Sequence, residues 1–150
     1  MKEIIRNATI IGTGSYYPEE VYTNKYLESI VGTNDKWIYN TLGIKERRIA
    51  NNKQATSDLC WMAGERAINN SGLRKEEIDL IIVATATPDR LAPSTACFVQ
   101  DKLKAYNSVA FDVSAVCSGF LYGMSIAAQF IASHVYNNVL IIGGDTLKLE

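Results

Sequence analysis

The segment FDVSAVCSGF, at positions 111–120, is the most informative part of the sequence, because an apolar strand pattern ends there and an apolar helix pattern begins. Cys117 stands at this junction, so the sequence predicts a thiol at or near a helix N-terminus. Unpaired N–H groups and the positive end of the helix dipole favour the thiolate at such a position. The thiolate is the nucleophilic form of cysteine, and the same N–H groups can hold a developing oxyanion. The pattern therefore favours acyl transfer through a thioester on Cys117.

Strand and helix patterns alternate on both sides of this stretch. Continuous apolar runs are typical of strands that are buried on both faces of a sheet. They occur at 79–85, 108–113 and 138–143. Helix patterns occupy 56–71, 93–104 and the segment after Cys117. This alternation predicts an α/β fold, with a largely parallel mixed sheet that carries helices on both faces.

The first 50 residues carry weaker patterns. Residues 8–14 are typical of a short strand that ends in a glycine turn. Asn24 and Asp35 are expected to cap two short helices, the second of which carries Trp37. Residues 45–49 alternate weakly between polar and apolar side chains, which predicts an edge strand.

The two longer helices before Cys117 have their own boundary signals. Thr56 or Ser57 is expected to cap the first of them, and Gly72 to end it. Pro93 is expected at the first position of the second helix, where proline loses no hydrogen bond.

The helix predicted after Cys117 is apolar nearly all round. Such a helix is normally buried on most of its sides, so we predict a central, enclosed helix. The remaining elements of this chain offer too little material to enclose it. We therefore expect a second layer of protein over this helix, from a further part of the protein or from a partner.

Composition and charge exclude several classes of protein. The 150 residues are 47% hydrophobic and 21% charged, with a net charge of −1, so no nucleic-acid or membrane partner is predicted. No apolar stretch approaches the ~20 residues of a membrane helix, and no signal peptide opens the sequence. The three cysteines are spaced too irregularly for disulfides or zinc, which indicates a cytoplasmic protein with free thiols. The segment Gly12–Gly14 lacks the third glycine of a dinucleotide site, so neither a cofactor nor a metal is predicted.

Four segments, in order along the chain, resemble β-ketoacyl-acyl-carrier-protein synthase III, a condensing-enzyme family of the thiolase-like superfamily. They are the opening turn Ile11–Pro18, the segment Thr23–Arg47, the loop Ala84–Cys97 and the nucleophile segment Asp112–Phe120. The resemblance runs from Ile10 to Asp145 and covers the N-terminal half of a member. It implies a nucleophile-bearing thiolase-like half-domain over residues 1–150, with the C-terminal half of the family absent from this sequence.

The resemblance implies an acyltransferase that starts fatty-acid synthesis. Cys117 matches the family's nucleophile, which takes an acyl group from acyl-CoA, with acetyl-CoA as the expected substrate rather than a bound cofactor. Malonyl-acyl-carrier protein then loses carbon dioxide and attacks the thioester in a Claisen condensation. Trp37 matches the residue that stacks on the adenine of coenzyme A, and Thr33 falls at a second coenzyme A contact. The family forms homodimers, in which the loop Thr87–Pro93 shapes the acyl pocket.

The sequence departs from the family at several points. The family's catalytic histidine and asparagine belong to its second half, so we expect this chain alone to lack full condensing activity. His134, the only histidine, lies at the end of the helix after Cys117 and matches no family motif. Thr41 replaces an arginine that lies against the adenine in many members, and Ala92 replaces a larger aromatic residue. We therefore expect the nucleotide affinity and the acyl-chain preference to differ from those of many members.

Two other functions fit the same residues. A related thiolase-fold enzyme would build 3-hydroxy-3-methylglutaryl-CoA, a polyketide or a signal molecule. A non-catalytic fragment or subunit would serve association alone. On local pattern, Cys117 is also compatible with a packed core cysteine, and Trp37 with a core anchor.

Overall fold

The computed structural model describes residues 6–146 of the chain. Its strands are β1 (Glu20–Thr23), β2 (Glu46–Ile49), β3 (Leu80–Ala84), β4 (Val109–Val113) and β5 (Val139–Gly143). Its α-helices are α1 (Asn24–Glu28), α2 (Asp35–Leu42), α3 (Thr56–Ser71), α4 (Thr95–Leu103) and α5 (Gly119–Ala132). Two 3₁₀ turns lie at Lys75–Glu77 and Val116–Ser118.

Three of the strands form one parallel sheet in the order β4-β3-β5. Leu80 of the central strand pairs with Val109 on one side and with Val139 on the other. Strand β3 is buried along its whole length, as its continuous apolar sequence predicts. The predicted α/β fold is therefore confirmed, and the three described strands of this sheet all run in the same direction.

Helices cover both faces of this sheet, as predicted. Because successive side chains of a strand point to opposite faces, Ile81 and Val83 enter one core layer and Leu80 and Ile82 enter the other. The first layer contains residues of α3 and α4, namely Cys60, Ile68, Ala96, Val99 and Leu103. The second contains residues of α5, namely Ala127, Ile126 and Phe130. No described helix has the length and apolar character needed to cross a membrane.

Helix α5 lies against the sheet through its small residues. Gly119, Gly123 and Ala127, each one turn apart, are its buried positions. A Cβ atom at Gly123 would lie 3.1 Å from Ile141 Cγ2, so glycine allows the helix to approach the sheet closely. The opposite face is open, and Leu121 there is 63% exposed. The prediction of a helix enclosed on most sides is therefore not met within residues 6–146, because the sheet covers one face only.

A second, smaller unit, residues 20–49, consists of β1, α1, α2 and β2. The two strands form an antiparallel ribbon in which Thr23 lies opposite Glu46. Helix α1 contacts both β1 and α2. The predicted edge strand is confirmed as β2. Its partner β1, which is equally short, was not predicted.

The short helices begin where predicted, but their capping residues lie one position earlier. The Thr23 hydroxyl accepts a backbone N–H of α1, and the Asn34 side chain accepts one of α2. Asn24 and Asp35, the predicted caps, are instead the first residues of these helices. Asn24 does not cap because its side chain is buried and hydrogen-bonded to other segments of the smaller unit.

The predicted starts of α3 and α4 need the same correction. Ala55 precedes α3, and the Asp58 carboxylate accepts its N–H at 2.8 Å. Thr56 and Ser57, the predicted caps, are buried residues of the first turn. Pro93 lies two residues before α4 rather than inside it.

The strand predicted at residues 8–14 is wrong, since these residues form no strand in the part of the chain that the structure describes. Ile10 and Ile11 are exposed by 71% and 53%. The segment and β5 line one cavity of about 1120 Å³ and do not pair with each other. A strand requires a hydrogen-bonded neighbour, whatever its local sequence favours. Gly12 packs on α3 instead, where a Cβ atom would lie 2.5 Å from the Ala67 carbonyl oxygen.

Candidate active site

Cys117 lies in the 3₁₀ turn Val116–Ser118, which joins β4 to α5. The thiol is exposed, so the alternative of a packed core cysteine is wrong. Helix α5 continues directly from the turn for 14 residues, and the positive end of its dipole faces this turn. The predicted position at a helix N-terminus is therefore confirmed, and the nucleophilic role of Cys117 stays a prediction.

The backbone immediately before Cys117 is strained. Val116 has a φ of 47°, in the left-handed region that β-branched residues avoid. Such a conformation costs about 1–3 kcal/mol and clusters at functional sites, where the surrounding structure maintains it. The Ser118 N–H donates to the Ala115 carbonyl at 3.1 Å and closes the turn. The chain thus reverses sharply after β4 and leaves the Cys117 side chain at the surface.

Asp112 ties β4, the strand that precedes Cys117, to helix α4. Its carboxylate accepts the N–H groups of Thr95 and Ala96, each at 2.7 Å. These groups belong to the first turn of α4, where the positive end of the helix dipole also attracts the negative charge. Asp112 therefore fixes the end of β4, shortly before Cys117, relative to the loop that precedes α4.

We expect Asp112→Ala to lower the free energy of unfolding by about 2–4 kcal/mol, because two N–H groups lose a charged acceptor. Asp112→Asn is the matched control, since its single amide oxygen can still accept one of these bonds and its loss should be smaller. Urea denaturation of the three chains measures both differences. Equal stability of Asp112→Ala and the wild type would contradict the anchoring role.

Asp145, which follows β5, holds the other end of the loop that precedes α4. Its carboxylate accepts the N–H of Ala86 at 2.8 Å. Asp89, within the loop, accepts the N–H of Ser57 at the start of α3, also at 2.8 Å. Leu91 lies between these anchors and is fully exposed. The loop therefore presents an apolar side chain to its surroundings from a backbone that is held at both ends.

Cys60 differs from Cys117 in the properties that govern reactivity. It is 1% exposed, and a Cβ atom at Gly144 would lie 2.7 Å from its sulfur. Burial, followed by the nearby carboxylate of Asp89, raises the pKa of the Cys60 thiol to about 12. The thiol is therefore protonated at neutral pH, and Cys60 belongs to the hydrophobic core.

The raised pKa of Cys60 predicts a loss of stability at high pH. The thiol of the unfolded chain ionises near pH ~8.5, whereas the folded thiol stays protonated up to about pH 12. The Cys60 thiol contributes fully to the free energy of unfolding below the unfolded pKa of ~8.5. This contribution is lost as the pH rises through the folded pKa of about 12. The total is on the order of 5 kcal/mol.

Denaturant unfolding between pH 8 and about 12 tests this, with Cys60→Ala as the matched chain. The variant is expected to be less stable at pH 8 and to lose less stability as the pH rises. Parallel pH profiles of the two chains would refute the assignment.

Trp37 and Thr33, the predicted coenzyme A contacts, both belong to the smaller unit. Trp37 lies in the first turn of α2 and is 57% exposed, so the alternative of a core anchor is wrong. Thr33 is half-buried just before α2, and its N–H donates to the Val31 carbonyl at 2.8 Å. Trp37 and Thr33 therefore both lie on the smaller unit. Within residues 6–146, no hydrogen bond joins this unit to the Cys117 turn.

His134 lies beyond the opposite end of α5 from Cys117. A 14-residue helix is about 21 Å long, so the two side chains are far apart. This separation agrees with the sequence analysis, which assigns His134 no catalytic role.

The organising roles of three residues, Asp112, Asp145 and Asn24, were not predicted from the sequence. The two carboxylates lie at the carboxyl ends of β4 and β5, where polar residues of parallel strands gather, so their positions were a usable signal. Asn24 offers no such signal, because its side-chain partners lie 11 to 23 residues away along the chain.

Comparisons with known proteins agree with this arrangement. The sequence model of 3-oxoacyl-[acyl-carrier-protein] synthase III matches residues 111–148. The β-ketoacyl-[acyl-carrier-protein] synthase III of Caldanaerobacter subterraneus subsp. tengcongensis is 56% identical over 141 residues, which are 94% of this chain and 43% of that protein. This chain thus spans less than half the length of the curated relatives that it matches.

Two crystal structures show the same fold. The 3-oxoacyl-[acyl-carrier-protein] synthase III of Aquifex aeolicus VF5 matches with a TM-score of 0.89 at 51% identity, over 92% of this chain and 44% of that one. The priming β-ketosynthase of the R1128 polyketide pathway matches with a TM-score of 0.91 at 32% identity, over 95% of this chain and 42% of that one.

A parallel sheet between helices, with a cysteine on the turn into α5, defines a half-domain of the thiolase-like class of condensing enzymes. Within that class, the chain belongs to the β-ketoacyl-acyl-carrier-protein synthase III family and matches its N-terminal half.

Proposed function

We propose that Cys117 is the acyl-accepting nucleophile of a β-ketoacyl-acyl-carrier-protein synthase III, with acetyl-CoA as the donor. The observation that carries the proposal is the exposed Cys117 thiol on a strained turn at the N-terminus of α5. The thiolate attacks the thioester carbonyl, the carbon–sulfur bond to coenzyme A breaks, and the leaving thiolate takes a proton. The acyl group remains on Cys117 as a thioester.

For the full-length enzyme we propose malonyl-acyl-carrier protein as the second substrate. Loss of carbon dioxide leaves a carbanion equivalent, which attacks the acyl carbonyl, forms the β-ketoacyl-carrier protein and frees the Cys117 thiolate. The names of the relatives support this condensation. These 150 residues carry no match to the family's catalytic histidine and asparagine, so acyl transfer is the step we assign to this chain. Homodimer formation stays a prediction from the resemblance, and a cytoplasmic location stays a prediction from the cysteine pattern.

The chemical nature of the acylated product tests this proposal. Wild-type protein is incubated with acetyl-CoA, and one sample is then treated with neutral hydroxylamine, which cleaves thioesters and leaves amides intact. We expect a bound acetyl group that hydroxylamine removes, on a peptide that contains Cys117. An acetyl group that resists hydroxylamine would assign the modification to a lysine and contradict the proposal.

A second candidate function, association without catalysis, is favoured by the open face of α5. Phe120, Leu121 and Tyr122 are exposed on this helix, and exposed apolar patches mark interaction surfaces. Light scattering of the wild type and of Leu121→Glu measures this association, and acetylation is measured in the same samples. Association through this face without any thioester would favour the second candidate.

Because the chain also resembles a priming β-ketosynthase of a polyketide pathway, the class of product, fatty acid or polyketide, needs its own test. A related enzyme of this fold would pass the acyl group to a different acceptor. Malonyl groups on fatty-acid and polyketide carrier proteins, offered to the full-length enzyme, distinguish the two products.

A further inference from the structure

Asn24 is a fully buried polar residue in a unit that has almost no apolar core. Its side chain is 1% exposed. Within residues 20–49, the only other buried side chains are Leu27 and Ile38. Two apolar side chains contribute little packing, so hydrogen bonds are expected to decide how the helices and strands of this unit are arranged.

The Asn24 amide joins three separate segments. Its Nδ2 donates to Asp35 Oδ1 at 2.7 Å and to the Ile44 carbonyl at 2.8 Å. Its Oδ1 accepts from Arg47 Nη2 at 3.0 Å. Both amide hydrogens and the oxygen are thus engaged, and the amide dipole points from the Arg47 cation toward the Asp35 carboxylate.

These partners lie on either side of the helix that carries Trp37. Asp35 is the first residue of α2, and Ile44 follows Gly43, which ends it. One side chain therefore holds both ends of α2. Trp37 lies in the first turn of this helix, only two residues after Asp35, with its ring exposed.

We propose that Asn24 is a positioning residue for the adenine of coenzyme A, and that it acts by holding α2 so that Trp37 presents its ring to the base. The inference rests on the proposed acyl-CoA substrate. Replacing Asn24 with alanine leaves the Asp35 carboxylate and the Ile44 carbonyl without their donor, so both ends of α2 lose their attachment. The exposed Trp37 ring keeps its chemistry but loses its fixed orientation.

The test compares coenzyme A with 4′-phosphopantetheine, which lacks the adenine, by calorimetric titration of the 150-residue chain. For Trp37→Ala, we expect the dissociation constant of coenzyme A to rise by roughly 5- to 150-fold, with that of phosphopantetheine unchanged. For Asn24→Ala, we expect a rise of about tenfold for coenzyme A alone. The double variant should equal Trp37→Ala, because Asn24 acts only through that ring.

Two further chains control for general destabilisation. Asn138→Ala is the matched control, since the Asn138 amide also donates to a backbone carbonyl, that of Glu77 at 2.9 Å, far from α2. It should bind coenzyme A like the wild type. Asn24→Asp places a second carboxylate against Asp35 and should weaken coenzyme A binding. Adding Asp35→Asn should restore part of the binding, because the donor and the acceptor of this hydrogen bond are then exchanged.

The outcomes separate the two proposals. If Trp37→Ala binds coenzyme A like the wild type, or the wild type does not bind it, the adenine assignment falls, and the positioning role falls with it. If Trp37→Ala weakens binding and Asn24→Ala does not, only the role of Asn24 is overturned. Additive effects in the double variant, or equal losses for phosphopantetheine, would also overturn it.

Hydrogen exchange gives a readout that needs no ligand. Asn24→Ala is expected to speed amide exchange in α2 and to leave α3 and β3 unchanged. Unchanged exchange in α2 would overturn the proposal even if binding were weakened, because the helix would then still be held in place.

Discussion

The Cys117→Ser chain is expected to gain no acetyl group from acetyl-CoA, whereas the wild-type chain gains one. A serine hydroxyl at the same turn is not ionised at neutral pH and therefore cannot replace the thiolate. Cys117 is exposed and lies at the positive end of the α5 dipole, so we expect acetylation at this thiol. Intact-protein mass spectrometry after brief exposure to acetyl-CoA measures the gain.

The two other cysteines supply the controls for this experiment. Cys60 is buried and Cys97 is half-buried, with its sulfur 3.1 Å from the Ser94 hydroxyl. Cys60→Ala and Cys97→Ser are therefore expected to take up acetyl groups like the wild type. Acetylation that persists in Cys117→Ser would move the nucleophile elsewhere. A folded wild-type chain that gains nothing would refute the assignment of acyl transfer to this chain.

The Trp37→Ala chain is expected to bind coenzyme A more weakly by roughly 5- to 150-fold, since stacking of a base on an aromatic ring contributes about 1–3 kcal/mol. The ring is already 57% exposed, so its removal should cost little folding stability. Titration of coenzyme A, followed by calorimetry, measures the change.

Tyr39→Ala is the matched control for Trp37→Ala. Tyr39 is an exposed aromatic residue of the same helix, two positions away and therefore on another face. Its removal is expected to leave the coenzyme A dissociation constant unchanged. Equal losses in the two variants would show that the helix surface in general, rather than the Trp37 ring, binds the nucleotide.

Elements whose own apolar and turn residues indicate them were predictable from the sequence. The continuous apolar run of β3 required a strand covered on both sides, and the sheet and its helices provide that cover. Gly72 was predicted to end α3, and it does so with a φ of 75°, which glycine adopts without strain. Cys117 was placed at a helix N-terminus because the strand and helix patterns meet within ten residues.

Elements that depend on a distant neighbour were not predictable. Residues 8–14 have the composition of a strand but lack a paired strand among the described residues, so local preference was overruled. The nearly all-apolar sequence of α5 did not show which face meets the sheet. The close approach at Gly123 and Ile141 selects the small-residue face, and Leu121 is left exposed.

Local sequence was sufficient for the order of strands and helices, for the α/β class and for the position of Cys117 at a helix N-terminus. Each of these depends on periodicity and turn residues within a short window, which act before the chain has folded. The hydrogen bonds of Asp112, Asp145 and Asn24 depend instead on residues up to 60 positions apart in the chain. Only the packed sheet and the closed smaller unit bring these groups within bonding distance. For this reason, the hydrogen bonds that fix the loop that precedes α4 and the helix of Trp37 are visible only in the tertiary structure.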